Sequence, residues 1–158
     1  MTLRERLHED TTAAMRSGDA LRRDVLRMAQ NSMYLIEKTR KGTLSEDEVV
    51  GVLTREVKTR RESVEAFRAG GREELAAKEE AEIAILQAYL PEALTEDELR
   101  ALVTEGVTAT RATNARDLGK VMAWLSPRTR GRADGKVVSG LVAQALAQAD
   151  LAGHDGEH

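Results

Sequence analysis

The sequence predicts an all-α protein: an N-terminal four-helix part with a long helical hairpin, and a small C-terminal three-helix domain. Three observations carry this. Only two prolines interrupt 158 residues, apolar side chains recur at helical spacing, and capping residues stand where the apolar runs begin. Runs of β-branched residues that would mark strands are few. Aromatics (Phe67, Trp124, Tyr34, Tyr89) make up 3% of the chain, so the core must be aliphatic.

Thr2 caps a first helix that runs to about Ser17, with Leu3, Leu7, Ala14 and Met15 on its apolar side. Ser17-Gly18-Asp19 breaks it, and Asp19 caps a second helix carrying Leu21, Val25, Met28, Ala29 and Ile36 as far as Gly42. Ser45-Glu46-Asp47-Glu48 is a capping box that opens a third helix, with Val49, Val52, Leu53, Val57, Val64 and Phe67, ending at Gly70-Gly71. The second and third helices, joined by a short turn, form an antiparallel hairpin. A fourth helix, Arg72 to Ala88, is acidic outside and stops at Tyr89-Leu90-Pro91. Thr95-Glu96-Asp97-Glu98 is a second capping box, opening a helix with Leu99, Leu102, Val103 and Val107. Asn114 caps a short helix with Leu118, Val121, Met122 and Leu125, which Ser126-Pro127 stops. Asp134 caps the last, with Val138, Leu141, Val142, Ala145 and Leu146. The domains are therefore 1–91 and 95–149, with 150–158 a frayed tail.

Composition narrows the function. The chain holds 24 basic and 27 acidic residues, a formal charge of −3, and no cysteine, which excludes disulfides, thiol catalysis and Cys-ligated metals. No apolar run reaches signal-peptide or membrane-span length, so the expectation is a soluble, cytoplasmic protein without membrane contact. Gly131-Arg132-Ala133-Asp134-Gly135-Lys136 imitates a phosphate loop but has one residue too few between its glycines. Val137 also stands where a Mg²⁺-binding hydroxyl belongs. His8, His154 and His158 have no metal-ligand spacing, and Glu79-Glu80-Glu82 fits a solvated helix face. No catalytic residue, metal or cofactor is expected.

One segment stands out for binding. Between Arg111 and Lys136 there are seven basic residues and two acidic ones. Lys120 and Trp124 share a flank of their helix, about 160° and 120° from the centre of its apolar stripe, just before a loop with three arginines. Lys120, Trp124, Arg128, Arg130, Arg132 and Lys136 form a candidate RNA-binding surface: guanidinium forks pair with phosphates, and an indole stacks on an unpaired base. Asp134, at the cap of the following helix, makes that helix's N-terminus a poor anion site. The competing reading packs Trp124 against the N-terminal part and sets the arginines against the acidic helix around Glu79–Glu82. A second basic cluster, Arg55, Lys58, Arg60 and Arg61, is interleaved with Glu56, Glu62 and Glu65, which can pair with it along the helix.

The pattern Glu56-Val57-Lys58, Arg60-Arg61-Glu62-Ser63, Gly71-Arg72, Glu79, Glu82-Ile83, Leu86 and Tyr89-Leu90-Pro91 resembles the YqeY proteins. Gly119-Lys120-Val121-Met122 and Gly131-Arg132-Ala133-Asp134-Gly135-Lys136 match the same family, from Leu3 to about Leu146. The resemblance implies a C-terminal domain similar to the tail of the B subunit of glutamine-dependent tRNA amidotransferase, a tRNA-contacting appendage. The family label accordingly often carries a carbon–nitrogen ligase activity with glutamine as amido donor. This chain has neither an ATP cradle nor the Ser-Ser-Lys glutaminase machinery, so that label rests on a shared domain. Three functions follow in order: an accessory protein binding tRNA or another structured RNA, with no DNA expected; an amidotransferase component working with partner subunits; and a protein-interaction module built on the long helices.

Overall fold

The structure, a computed structural model, describes residues 1–155, and among them every regular element is helical. The helices are α1 (Leu3–Ser17), α2 (Ala20–Arg40), α3 (Glu46–Ala69), α4 (Glu73–Gln87), α5 (Glu96–Thr110), α6 (Leu118–Thr129) and α7 (Gly135–Asp155), with a 3-10 turn at Ala115–Asp117 before α6. The caps are local hydrogen bonds. Thr2, Ser45 and Thr95 each take the backbone N–H three residues on, and the glutamate there returns the bond, which completes three capping boxes. Asp19 accepts from the Arg22 N–H. Gly18 ends α1 at φ +77°, a left-handed conformation that glycine adopts without penalty.

The chain divides into two compact units, Met1–Pro91 and the residues from Glu92 on. In the first, α3 and α4 pack along their length across the Gly70-Gly71 turn, and α2 runs antiparallel to α3. The antiparallel register is fixed by Ser32 donating to Glu56 (2.9 Å) and by Arg60 lying against the Met28 sulfur (3.9 Å). Leu7, Leu26, Met33, Leu53 and Leu86 are fully buried between these helices. The sequence placed Met15 and Met28 on the apolar sides of their helices, but both are about half exposed. The stripe that faces the core of α2 is Val25, Leu26, Ala29 and Met33.

In the second unit α5 packs on α6 and α7 around Val103, Val121, Leu125, Val138, Val142 and Leu146. Two expectations are corrected here. α6 does not stop at Ser126-Pro127 but continues to Thr129. Pro127 lies in the last turn, where it forfeits only the bond to the carbonyl of solvent-facing Ala123, and the Arg130 N–H still closes on Ser126 (3.1 Å). α7 extends to Asp155, so residues 150–155 of the expected tail are helical, while 156–158 lie outside the described residues.

Candidate nucleic-acid interface

The interface begins with the turn that launches α6. The Asn114 side chain accepts the Arg116 N–H (2.9 Å), and Asp117 accepts the Thr113 N–H (2.8 Å). That backbone bond, aided by Lys120 at 3.5 Å, holds the Asp117 carboxyl below the usual carboxylate range. Val121 and Leu125 then bury on the core side, leaving Lys120 exposed on the outside and Trp124 half-buried between. Lys120 is therefore already paired. It lies about 12 Å back along the axis from Arg128.

Trp124 rests on α5. A Cβ built on buried Gly106 would stand 2.9 Å from indole Cε3, so this approach requires a glycine there. The Arg128 guanidinium lies over the indole at 3.7 Å from its centroid and donates to the Trp124 carbonyl at 2.5 Å. One side of the ring is taken by Gly106 and the other by the Arg128 guanidinium, whose own outer plane faces away from the indole.

Beyond α6 the chain turns through Gly131 (φ +74°). Arg130 reaches back to the Ser126 hydroxyl (3.5 Å). Arg132 has a framework duty: its Nε donates to the Glu92 carbonyl (2.9 Å), and its own carbonyl accepts the Leu94 N–H (2.9 Å). Asp134 caps α7 through the Lys136 N–H (2.8 Å), leaving the Lys136 side chain in solvent. Trp124, Arg128, Arg130, Arg132 and Lys136 thus follow the chain through the α6–α7 corner, from the end of α6 into the first turn of α7, with Arg128 stacked on Trp124, and Lys120 lies one turn before Trp124. Gly106 escaped notice as a site residue, although it is the only glycine inside the helix predicted from Thr95.

The acidic helix α4 has cationic partners within its own unit. Arg60, 6% exposed, donates to Glu56 (2.7 Å) and Glu82 (3.0 Å), and Arg68 bonds Glu80 (2.6 Å). The Glu79–Glu82 stretch is thus only partly a solvated face. Burial, with Glu82 beside it, pushes the Glu79 carboxyl up. Among the described residues no group of His, Asp or Glu is arranged to hold a metal, and no helix is long and apolar enough to cross a membrane. A cavity of about 140 Å³ between α5 and α7 is lined by Arg100, Thr104, Gln144 and Gln148, but Arg100 is committed to Glu96 (2.8 Å).

The family described as Yqey-like protein matches residues 4–146. The chain belongs to the YqeY family. The match spans every motif on which the resemblance was based, from the Glu56-Val57-Lys58 run to the Gly131–Lys136 loop. This YqeY protein is also 31% identical over 137 residues to a fungal protein from Pyrenophora tritici-repentis (strain Pt-1C-BFP). That relative is named Altered inheritance of mitochondria protein 41, mitochondrial, and the alignment covers 85% of this chain and 75% of the relative.

Proposed function

We propose that this YqeY protein is an RNA-binding accessory factor that contacts tRNA or another structured RNA through the α6–α7 corner, with no reaction of its own. The observation that carries this reading is chemical. Arg128 and Arg132 spend hydrogen bonds on carbonyl oxygens rather than carboxylates, so those bonds leave the charge of these two guanidinium groups in place. Phosphates pair with these two groups, and the exposed guanidinium plane on Trp124 takes a base. The test is a salt-titrated binding assay with bulk tRNA against duplex DNA, comparing the intact protein with an Arg128→Ala, Arg130→Ala, Lys136→Ala variant. Preferential tRNA binding that weakens in the variant supports the reading; equal binding by both proteins, or none, sinks it. The proposal includes a cytoplasmic location, whereas the fungal relative carries a mitochondrial name. Fractionation of cells expressing a tagged chain distinguishes the two.

A second reading, a protein-interaction module, draws on one observation. Met28 and Leu35, two turns apart on the same side of α2, are 55% and 54% exposed. A partner bound there would survive high salt and neutralised corner arginines.

A further inference from the structure

We infer that the outer face of α2 is a separate contact surface for single-stranded RNA in the first unit, an inference that rests on the RNA-binding reading but not on the α6–α7 corner. From Arg16 to Lys41 the chain has seven basic residues and three acidic ones, a charge excess close to that of the corner. The fold sorts these charges. Arg23, Arg27, Asn31, Tyr34 and Lys38, spaced by four, four, three and four, form one stripe with no acidic member, and Lys41 follows just past the helix end. The stripe is about 22 Å long, the reach of a few nucleotides.

Of the two acids of α2, Asp24 neutralises the first member of the stripe and Glu37 is held on the side of α1 and the α2–α3 turn. Asp24 is bonded to Arg23 (2.8 Å), while Glu37 takes Arg4 (2.6 Å) and the Leu44 N–H (2.7 Å). Arg27 and Lys38 form no ion pair among the described residues; Arg27 lies instead on the Met15 sulfur (3.2 Å). Tyr34, 59% exposed, stands between these cations with its ring open to solvent. The neighbouring helix is α1. The contacts Arg4–Glu37, Thr11–Gln30 and Met15–Arg27 set α1 antiparallel to α2, which brings His8, Thr12 and Met15 alongside the stripe. Of the acids of α1, Glu5 is held by the Thr2 N–H (2.9 Å) and Asp10 by the Tyr89 hydroxyl (2.5 Å). Cations flanking an exposed ring, with amide and hydroxyl groups beside them, is the composition that tracks a phosphate backbone and stacks an unpaired base.

The test uses the full chain and a labelled single-stranded oligouridylate carrying 4-thiouridine. Four proteins are compared: wild type, Arg27→Ala/Tyr34→Ala/Lys38→Ala, Tyr34→Phe, and the corner variant Arg128→Ala/Arg130→Ala. The α2 triple variant is expected to bind about tenfold more weakly, with the salt slope reduced by about 1.4 for two lost phosphate contacts. Tyr34→Phe, which keeps the ring, binds like wild type, and the photo-crosslink maps to the tryptic peptide of residues 28–38. Loss of binding in the α2 variant alone supports this surface and removes the corner from the proposed function. Loss in the corner variant alone overturns this inference and leaves the corner reading standing. No binding by wild type overturns both. Vesicles containing phosphatidylglycerol serve as the competing anion: an α2 variant that loses vesicle binding while keeping RNA binding also overturns the inference.

Discussion

Each unit sets an arginine over an aromatic ring, and the two pairs are built to opposite ends. In the first unit Arg6 lies 5.0 Å from the Tyr89 ring, and the phenol, 5% exposed, donates to Asp10 (2.5 Å). The same unit encloses Arg60 between Glu56 and Glu82. In the second unit Arg128 covers Trp124 at 3.7 Å with a carbonyl as its hydrogen-bond partner. An arginine bonded to a carboxylate is internally neutralised and its contribution is structural. One bonded to a carbonyl is positioned just as firmly yet keeps its whole charge for something outside.

The largest effect that would break this contrast is expected at Arg60. Arg60→Ala leaves two half-buried carboxylates facing each other without a cation and should cost about 3 kcal/mol, read as the midpoint of urea unfolding by circular dichroism. A loss below about 1 kcal/mol would show that the clamp is incidental. Tyr89→Phe comes next, at about 2 kcal/mol, because the charged acceptor Asp10 loses its donor. Burial first, and the bond to Asp10 second, push the Tyr89 phenol up to about 12. The folded value is raised, so this stabilisation is complete below pH 10 and is lost as pH rises through about 12. Absorbance titration should find one tyrosine that ionises only in that window.

Gly106→Ala sharpens the contrast from the other side. A methyl 2.9 Å from the indole must displace it, and the gain in helix propensity offsets only part of the strain. A net loss of about 1 kcal/mol, with shifted tryptophan emission, is expected. Arg128→Ala should change stability least, by no more than about 1 kcal/mol, because the stacked pair is exposed. Its consequence is expected in RNA affinity instead, the reverse of Arg60→Ala.

Much of this was legible from the sequence, for reasons that differ from residue to residue. The caps Thr2, Asp19, Ser45 and Thr95 read correctly because a cap is a contact between near neighbours. The all-helical class and the family likewise emerge from local spacing and motif residues. What the sequence missed depends on separations it does not encode locally. Arg60 belongs to Glu82, 22 residues away, as well as to Glu56. Met28 has helical spacing but sits at the edge of the α2 stripe, where a small angular offset leaves it in solvent. Pro127 was weighed as a breaker without regard to its place in the last turn, where a proline forfeits little. In the candidate site, the four-residue period puts Lys120 and Trp124 on one flank, whereas Arg128, expected in the following loop, lies in the last turn of α6 over the indole. The duty of Arg132 toward Glu92, 40 residues back, left no local trace.

That duty bears on how the corner tolerates change. Surface loops ordinarily absorb insertions and deletions. Here the carbonyl of Arg132 holds Leu94 while its side chain holds Glu92, so one residue is pinned by backbone and guanidinium together. Adding or removing a residue between Gly131 and Asp134 would carry Arg132 out of register and release the strand of chain that leads into α5. The loop is fixed in length by its own stitching, and relatives that keep these two bonds should vary its side chains freely but not its residue count.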